Sequence, residues 1–577
     1  MTTAISIGEC MVELRPVADG HLKRGFAGDA YNTAIYLKRS APDIDVQFLT
    51  ATGDDGLSDA MIATWREEGI GDRLVFRIPG ARPALYLIET NKKGDRTFHY
   101  WRGETPAKQW LRQLLAAGGA ELLNPADLIY VSGISLAILN YADRQAAIEL
   151  LEAVEDAPKR PADAVANDFF RSRRYIGSGD RRAVSDRVWQ VLRARRRLDW
   201  WLQGNATPRL LVGASLLLEG WTLSGLAQSY SGGRFAPEIL GRNEHARLAR
   251  LEGHTLDHPA MPEPVRLEVP DWLHPRLAAR FGPALATEMA AMAEPAPLDL
   301  RANLLKGTRE QAQAALAAEG WQAEPTPLSP WGLRIAGRRP VTTGPAFQSG
   351  LVEIQDEGSQ LIALMVGAQP GMRVVDWCAG AGGKTLALAA TMQNKGQVVA
   401  CDVSAPRLDG AVRRLRRAGV HNVERHLVVA GDKWAKRRAG GFDRVLVDAP
   451  CTGTGTWRRN PDARLRLREA DLLELLPKQA SILDAAQALV RIGGRLVYAT
   501  CSLLAEENEG QVTDFLARHP GFVPVPLARA WPLDTPAPGA GDWLSLTPAP
   551  GAGDWLSLTP ARNRTDGFFA AVLERVA

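Results

Sequence analysis

The chain has 577 residues, which is too many for one hydrophobic core, so roughly three or four domains are expected. Its composition, with 46% hydrophobic and 23% charged residues and a net charge of +4, is that of a soluble protein and indicates no partner by charge alone. No apolar run reaches the roughly 18 residues of a membrane span, and the start, MTTAISIGECMVELRP, lacks the basic-then-apolar layout of a signal peptide.

The five cysteines are expected to be free thiols. No pair has the C-x-x-C spacing of a zinc site, and an odd number in a long chain argues against a disulfide framework. Free thiols are typical of a reducing cytoplasm, which is the predicted location. We expect a monomer without a metal.

The first 142 residues are predicted to form an α/β domain. AISIGECMVEL and DVQFLTATG have the pattern of strands, and DAYNTAIYLKRS and LSDAMIATWREEG have the pattern of helices. ALYLIETNKKGDRTFHYW predicts a hairpin with its turn at KKGD.

A helical region follows, over residues 143–285, and is rich in Ala, Leu and Arg. Its residues 171–197 hold ten Arg against two Asp. Such a block is either a solvated helix face or a surface that binds phosphates, and the sequence leaves both interpretations open. Residues 286–349 are predicted to be a small α+β segment.

From residue 350 to 577, strands and helices alternate. The apolar runs GMRVVDWC, GQVVACDV, FDRVLVDAP and GGRLVYATCS are typical of strands buried in a parallel sheet. The helical patterns TLALAATMQ, APRLDGAVRRLRRAG and LLPKQASILDAAQALVRI lie between them. This alternation predicts a doubly wound sheet, whose ligands bind beyond the carboxyl ends of the strands.

The stretch VVDWCAGAGGKT predicts a strand, a Gly-rich turn and a helix that bind a nucleoside. A P-loop would need Gly at position 378, where Cys378 stands, and the G-x-G-x-x-G spacing also fails. What remains is a close backbone approach to the ligand and an acid, Asp402, at the end of the next strand, where it can accept both ribose hydroxyls. Asp432 is placed for an adenine amino group, although such acids can also simply cap helices. The predicted ligand therefore contains adenosine but no polyphosphate, which indicates S-adenosylmethionine.

Two cysteines, Cys451 in DAPCTGTGTWRRNPD and Cys501 in YATCS, each follow an apolar strand. A thiolate that adds to C6 of a pyrimidine makes C5 nucleophilic enough to accept a methyl group, which is covalent catalysis. Asp448, three residues before Cys451, is a candidate acid near N3 of the base. A single buried cysteine is usually structural. Two cysteines at the ends of neighbouring strands instead favour a catalytic role.

The motifs DAPCTGTGTWRRNPD, TCS, CAGAGGKT and QDEGSQL resemble those of the RsmB/NOP2/Sun family of RNA 5-methylcytosine methyltransferases. The resemblance covers about residues 144 to 577 and implies a Rossmann-like catalytic fold, S-adenosylmethionine as cofactor and 16S ribosomal RNA as substrate. It implies Cys501 as the nucleophile and Cys451 as the residue that assists product release. The implied cofactor contacts are Cys378, Ala379, Gly380, Ala381, Gly382, Gly383, Lys384, Asp402, Arg407, Asp432 and Asp448.

Two positions depart from the family pattern. Ala381 stands where many relatives have Pro, and Asn563-Arg564 replaces a His and a Gly before Thr-Asp-Gly-Phe-Phe. Ala381 is expected to tolerate the turn, and the change at Asn563-Arg564 concerns its local loop rather than the chemistry.

The resemblance also accounts for the middle of the chain. It implies a NusB-like RNA-binding domain at 143–285 and a ferredoxin-like subdomain at 286–349, ahead of the catalytic domain at 350–577. The target base must be flipped or unpaired to reach the nucleophile. The candidate RNA contacts are Arg171, Arg173, Arg174, Arg195, Arg196 and Arg197.

Residues 1–142 resemble the first half of a 2-keto-3-deoxygluconate kinase of the PfkB (ribokinase) family. The resemblance implies a sugar-acid pocket formed by Gly28, Asp29, Asn32, Tyr86, Tyr100 and Arg102. The ATP-binding half does not follow, so this fragment is predicted to be inactive. The second half of the family also carries a Gly-Ala-Gly-Asp motif, whose Asp is the catalytic base. GAGD occurs here at 539–542 and 551–554, inside a perfect tandem copy of TPAPGAGDWLSL, and we interpret both copies as coincidence.

Three functions are therefore open: an RNA cytosine-C5 methyltransferase, a sugar-acid kinase, and a non-catalytic RNA-binding or assembly factor. The missing ATP half argues against the kinase, and the presence of both cysteines argues against the assembly factor.

Overall fold

A computed structural model of the chain describes residues 2–17, 21–90, 96–101, 105–124, 126–131, 142–174, 176–233, 236–336, 340–535, 537 and 555–577. The chain divides into two compact units. The first comprises Met1–Ala157, Ala164–Val191 and Asn205–Thr255, and the second comprises Pro158–Asp163, Leu192–Gly204 and Leu256–Ala577. Within the described residues, no helix combines the length and apolarity of a bilayer span.

The amino-terminal part of the first unit is α/β, as predicted. Its strands are β1 Thr3–Ile7, β2 Met11–Pro16, β3 Leu22–Ala27, β4 Asp45–Gly53, β5 Val75–Ile78, β6 Leu85–Thr90, β7 Arg96–Trp101 and β8 Leu128–Val131. They form two sheets with the orders β5-β4-β1-β8 and β3-β2-β6-β7. Its helices are Asp29–Ser40, Gly56–Glu67 and Trp110–Ala116, with 3-10 turns at Pro106–Gln109 and Gly119–Leu123.

The predicted hairpin is confirmed, since β6 and β7 pair antiparallel, while its KKGD turn lies outside the described residues. The strand-like segment AISIGECMVEL forms two strands. The segment between Ile7 and Met11 breaks it into β1, which pairs parallel with β4, and β2, which pairs with β3 in the other sheet. An aromatic cluster of Tyr31, Phe48 and Trp65, each at most 1% exposed, packs beneath the first sheet.

The middle of the chain is helical, as predicted. The helices are Ala142–Glu155, Ala162–Ser172, Ser178–Arg193, Arg195–Trp201, Pro208–Leu218, Leu223–Ser229, Arg242–Ala249, Glu263–Arg266, His274–Phe281 and Leu285–Ala293, with a 3-10 turn at Gly282–Ala284. Helix Pro208–Leu218 begins after Thr207, whose hydroxyl accepts the N–H of Leu210. Its sequence PRLLVGASLLL is apolar on nearly every face and is buried accordingly.

A small antiparallel sheet precedes the carboxyl-terminal sheet. Its strands are β9 Leu298–Ala302, β10 Ala323–Pro325, β11 Gly332–Ile335 and β12 Val352–Ile354, in the order β10-β11-β9-β12. Helix Arg309–Ala318 covers it and begins with a capping box in which Thr308 and Gln311 each bond the other's backbone N–H. A 3-10 turn at Val341–Thr343 and a short helix at Pro345–Gln348 complete the segment.

The carboxyl-terminal sheet has β13 Arg373–Asp376, β14 Gln397–Asp402, β15 Val423–Leu427, β16 Phe442–Asp448, β17 Val490–Thr500, β18 Phe522–Pro524, β19 Leu556–Leu558 and β20 Phe568–Arg575. The order is β15-β14-β13-β16-β17-β20-β18, with β19 beside β20. The four predicted strands are confirmed as β13, β14, β16 and β17, and they run parallel. Strand β20 pairs antiparallel with β17, so the sheet is mixed.

Helices cover both faces of this sheet: Glu357–Met365, Gly383–Thr391, Ala405–Ala418, Trp434–Arg437, Pro461–Arg466, Glu469–Gln487, Glu509–Arg518, Leu527–Ala530 and Pro560–Asn563, with a 3-10 turn at Thr454–Thr456. Strand order reverses between β13 and β16, because the chain first builds outward through β14 and β15 and then returns. A crevice opens at such a switch point, at the carboxyl ends of the strands, and ligands bind there.

Candidate active site

The Gly-rich turn after β13 depends on glycine for its conformation. Gly380 has φ 55° and Gly382, at the start of helix Gly383–Thr391, has φ 80°, both in the left-handed region. A Cβ on Gly382 would meet Cβ of Ala411 at 3.2 Å, whereas one on Gly380 would have no atom of the described residues within 4 Å. The turn therefore leaves open space beside Gly380 for a ligand to approach the backbone.

Asp402, at the end of β14, fixes this turn. Its Oδ2 accepts the N–H of Gly380 at 2.8 Å, and its Oδ1 accepts the N–H of Ser404 at 2.8 Å. The side chain is 6% exposed. The predicted ribose acid thus lies directly against the Gly-rich turn.

Lys384 and Asp448 form an ion pair at the carboxyl ends of β13 and β16, with Nζ 2.5 Å from Oδ2. Burial lowers the pKa of Lys384, but the charge and hydrogen bond of Asp448 outweigh it, so the pKa is raised overall. The amine therefore stays protonated. The pair places a cation and a carboxylate beside the predicted nucleophile loop.

A third acid, Asp376 at the end of β13, is 1% exposed and accepts the hydroxyl of Thr385 at 2.7 Å. Burial, together with the nearby charge of Asp448, raises its pKa to about 7. Among the described residues, its Oδ1 has no hydrogen-bond partner. The sequence analysis missed this residue, although it stands at a strand end directly before the Gly-rich turn.

A cavity of about 350 Å³ opens at this edge of the sheet. It is lined by Ile354, Gln355, Asp356, Ser359, Asp376, Cys378, Ala379, Gly383, Lys384, Asp448, Arg459 and Asp566. Five of the predicted cofactor residues lie in this lining, and all of its walls belong to the second compact unit.

One wall of the cavity is formed by Arg459, Asp356 and Asp566, which come from three distant segments, and the buried Arg458 bonds to the same carboxylates. Arg458 and Arg459 each donate from Nε to Asp566 at 2.5 Å, and Arg459 also donates to Asp356 at 2.7 Å. Burial opposes the charged form of Arg459, but the two carboxylates outweigh it and raise its pKa. The motifs WRRNPD, QDEGSQL and TDGFF contain these residues, but the sequence analysis gave them no role.

The two predicted catalytic thiols lie together. Sγ of Cys451 is 3.4 Å from Sγ of Cys501, and both side chains are partly exposed. Their strands β16 and β17 are neighbours in parallel register, which brings the residues that follow them to the same edge. The hydrogen bond to Cys501 and burial raise the pKa of Cys451 well above its ordinary value.

The other six predicted cofactor residues lie outside the cavity lining. Gly380, Ala381, Gly382 and Asp402 belong to the adjoining Gly-rich turn and its contacts, whereas Arg407 and Asp432 lie elsewhere. Arg407 is exposed near the start of helix Ala405–Ala418. Asp432 accepts the N–H of Trp434 at 2.8 Å and pairs with Nε2 of His426 at 2.5 Å. It therefore bonds to the backbone at the start of the short helix Trp434–Arg437, and its contact with an adenine stays a prediction.

The candidate RNA-binding arginines have different surroundings. In the second unit, Arg195 pairs with Asp199, Arg196 with Asp271, and Arg197 with Asp257 and Glu268. Arg197 is only 16% exposed, so its guanidinium serves this local contact. In the first unit, Arg173 pairs with Glu149 and stacks over Phe169.

The other two candidates, Arg171 and Arg174, line one cavity of about 680 Å³ with Arg181, Asn167 and Phe170. Arg171 also pairs with Asp168 at 3.0 Å. Whether any of the six binds RNA stays a prediction.

Of the predicted sugar-pocket residues, Gly28, Asp29, Asn32 and Tyr86 are described. A Cβ on Gly28 would meet the carbonyl oxygen of Glu9 at 2.2 Å, so only glycine fits there. Tyr86 donates its hydroxyl to Glu13. Arg102, the side chain of Tyr100 and both GAGD copies lie outside the described residues.

A switch-point cavity behind a Gly-rich strand–turn–helix, with an acid at the end of the next strand, defines the class as a Rossmann-like methyltransferase fold. Comparison with known families makes this specific. The sequence model of the 16S rRNA methyltransferase RsmB/F family matches residues 363–574, and that of the RsmF/B-like ferredoxin-like domain matches 269–342. The pfkB carbohydrate kinase family matches residues 1–170.

Individual relatives agree. Ribosomal RNA small subunit methyltransferase B of Xylella fastidiosa is 40% identical over 256 residues, which cover 43% of this chain and 59% of the relative. The enzyme of the same name from Photorhabdus laumondii is 36% identical over 255 residues, covering 43% and 58%. The crystal structure of PH0851 superposes with a TM-score of 0.61 at 26% identity and covers 76% of this chain and 99% of that one.

The chain therefore carries an RsmB/F-type methyltransferase domain, the ferredoxin-like domain of the same family and an amino-terminal PfkB region. It spans about three fifths of the length of the two curated relatives. The PfkB match extends beyond residue 142, and the exact domain boundaries stay predictions.

Proposed function

We propose that this protein methylates C5 of a cytosine in small-subunit ribosomal RNA, with S-adenosylmethionine as the methyl donor. The observation that carries the proposal is the pair of thiols, Cys451 and Cys501, 3.4 Å apart at the edge of the sheet that bears the cofactor turn. Two thiols serve this reaction because one must add to the base and a second group must help to remove the adduct.

The residues of the cavity and of the Gly-rich turn beside it are compatible with the cofactor. The open space beside Gly380 suits a close backbone approach, and Asp402 stands where a ribose acid is expected. The unpartnered Oδ1 of Asp376 is a buried acceptor on the cavity wall that suits the ammonium group of a methionine moiety. When bound, S-adenosylmethionine would supply an electrophilic methyl group.

In the proposed mechanism, Sγ of Cys501 forms a bond to C6 of the cytosine, and the electron pair of the C5–C6 double bond moves toward the ring nitrogen N3. Lys384, held protonated by Asp448, stands near this edge of the sheet and stabilises the developing charge. C5 is then nucleophilic and accepts the methyl group. Loss of the C5 proton to solvent, assisted by Cys451, expels Sγ of Cys501 as the thiolate and restores the double bond.

Substitution of each cysteine separates the two roles. Cys501→Ser should abolish methylation of 16S ribosomal RNA, measured with radiolabelled S-adenosylmethionine and bisulfite sequencing. Cys451→Ser should instead accumulate a covalent protein–RNA adduct, seen as a shifted band on a denaturing gel. Cys10→Ala, a buried cysteine of the first unit, is the control. Normal methylation by both serine variants would refute the assignment.

The proposal assigns no phosphoryl transfer to the amino-terminal region. The kinase match ends at residue 170, and the two GAGD sequences are followed by Trp-Leu-Ser-Leu-Thr-Pro rather than by the start of a phosphate-binding helix. Incubation of the purified chain with ATP and 2-keto-3-deoxygluconate should yield no phosphorylated sugar acid. Formation of that product would establish a second activity.

A further inference from the structure

A buried glutamate connects the two cysteine loops. Glu507 is 0% exposed and lies in the turn between β17 and helix Glu509–Arg518. Its Oε1 accepts the backbone N–H of Thr452 and the side-chain amide of Gln479, each at 2.9 Å. Its Oε2 accepts the hydroxyl of Thr452 at 2.5 Å and the hydroxyl of Ser502. Every acceptor position of the carboxylate is thus used.

These donors come from both sides of the thiol pair. Thr452 directly follows Cys451, and Ser502 directly follows Cys501, so one carboxylate bonds to the neighbour of each thiol. The turn that carries Glu507 is itself fixed, because Tyr498 donates its hydroxyl to the carbonyl of Glu507 at 2.6 Å. The glutamate is therefore anchored to β17, the strand that leads into Cys501.

We propose that Glu507 is the positioning residue of the thiol pair, and that its carboxylate holds the Cys451 and Cys501 loops at the separation that adduct formation and release require. This inference rests on the proposed function for its catalytic meaning. The spacing itself is a property of the protein without RNA or cofactor. Preorganisation of this kind matters because small displacements of a reacting group cost about 100-fold in rate.

The charge of Glu507 has a second consequence for the pair. The hydrogen bond to Cys501 and burial are the largest causes that raise the pKa of Cys451, and the charges of Cys501 and Glu507 add to them. The proton therefore stays on Cys451.

Two substitutions separate hydrogen bonding from simple filling of space. Glu507→Gln keeps one carbonyl oxygen for the N–H groups of Thr452 and Gln479 and turns its amide toward two hydroxyls that can accept. Glu507→Met has nearly the same volume but accepts none of these bonds. The adjacent Glu506→Met is the matched control, because Glu506 is 39% exposed and pairs with Arg276.

The test uses phenylarsine oxide with the full-length protein. One molecule reacts with two adjacent thiols to form a cyclic dithioarsenite and one water, so its affinity reports the spacing of the sulfurs without any RNA or cofactor. Cys451→Ser provides the reference for binding without the pair. Glu507→Met should weaken binding about tenfold or more, whereas Glu507→Gln and Glu506→Met should stay within about threefold of the wild type.

The inference would be overturned if Glu507→Met bound phenylarsine oxide with wild-type affinity. It would also be overturned if Glu507→Gln and Glu507→Met lost the same amount of affinity. If Glu507→Met does not fold, Thr452→Val is used instead, since it removes one bond to the carboxylate at a partly exposed position, and an unchanged affinity would count against the role. Methylation kinetics form a separate readout. Glu507→Met should lower kcat with little change in KM for S-adenosylmethionine. If the wild-type protein methylates no RNA, the proposed function fails, but the phenylarsine oxide result still tests the spacing of the thiols.

Discussion

Asp376→Asn tests whether a buried, protonated carboxyl group stands at the end of β13. The side chain is 1% exposed, and its only hydrogen bond within the described residues comes from Thr385. Asparagine has almost the same shape and keeps an oxygen for that hydroxyl. It differs in one respect that matters, because it cannot ionise.

The size of the effect follows from the pKa of Asp376, which burial raises from 3.8 to about 7. Between these two values the folded state holds a proton that the unfolded state has lost, so this group's stabilising effect is fully present below pH 3.8 and is lost as the pH rises to 7. The loss is about 1.6 kcal/mol at pH 5 and about 4 kcal/mol at pH 8. The asparagine of the variant carries no such penalty at either pH.

The gain of stability in Asp376→Asn should therefore be about 3 kcal/mol larger at pH 8 than at pH 5. A constant cost of the new amide cancels in this difference. Hydrogen exchange of peptides from β13, corrected for the intrinsic rate at each pH, measures it in the intact multidomain chain. Asp514→Asn on the exposed side of helix Glu509–Arg518 is the control. A pH-independent difference would refute a protonated Asp376.

Three further predictions follow. Arg301 donates to the carbonyl of Gly383 at 3.0 Å, so Arg301→Leu should weaken S-adenosylmethionine binding about tenfold in calorimetry, and unchanged affinity would exclude a role for this contact. Replacing Arg171 and Arg174 by Gln should reduce the slope of log affinity for RNA against log salt by about 0.7 for each lost phosphate contact, and an identical slope would remove both residues from the interface. Glu268→Ala removes the buried carboxylate that pairs with Arg197 and should lower the free energy of unfolding by about 3–5 kcal/mol, measurable as a lower Tm.

The parts of the site that lie within one segment of the chain were predictable from the sequence. The Gly-rich turn, Asp402 and both cysteines follow apolar runs that could only be buried strands, and parallel strands bring their carboxyl ends to one edge. Pattern and spacing therefore sufficed to predict that the two thiols would meet. They did not predict strand β20, whose antiparallel pairing with β17 depends on a return of the chain from a distant segment.

The parts that needed the structure join residues far apart in sequence. Asp356, Arg459 and Asp566 belong to three segments, and only their 2.5–2.7 Å contacts reveal that they form one wall of the cavity. Glu507 was equally hidden, because a glutamate in a turn is normally solvated and nothing in its local pattern indicates burial.

The arginine-rich segment 171–197 shows that a count of charges along the sequence does not predict which of them are paired in the fold. Its count of ten Arg against two Asp left both a solvated helix face and a phosphate-binding surface open, and acids outside the block neutralise part of its charge. Glu268 accepts hydrogen bonds from the backbone N–H groups of Arg196 and Arg197, so it caps the start of helix Arg195–Trp201. The same carboxylate also pairs with the guanidinium of Arg197. A charge that is buried in such a pair is held there by its desolvation cost and cannot also neutralise a phosphate. The exposed arginines of the first unit, which line a cavity of their own, are therefore the better candidates for RNA contact.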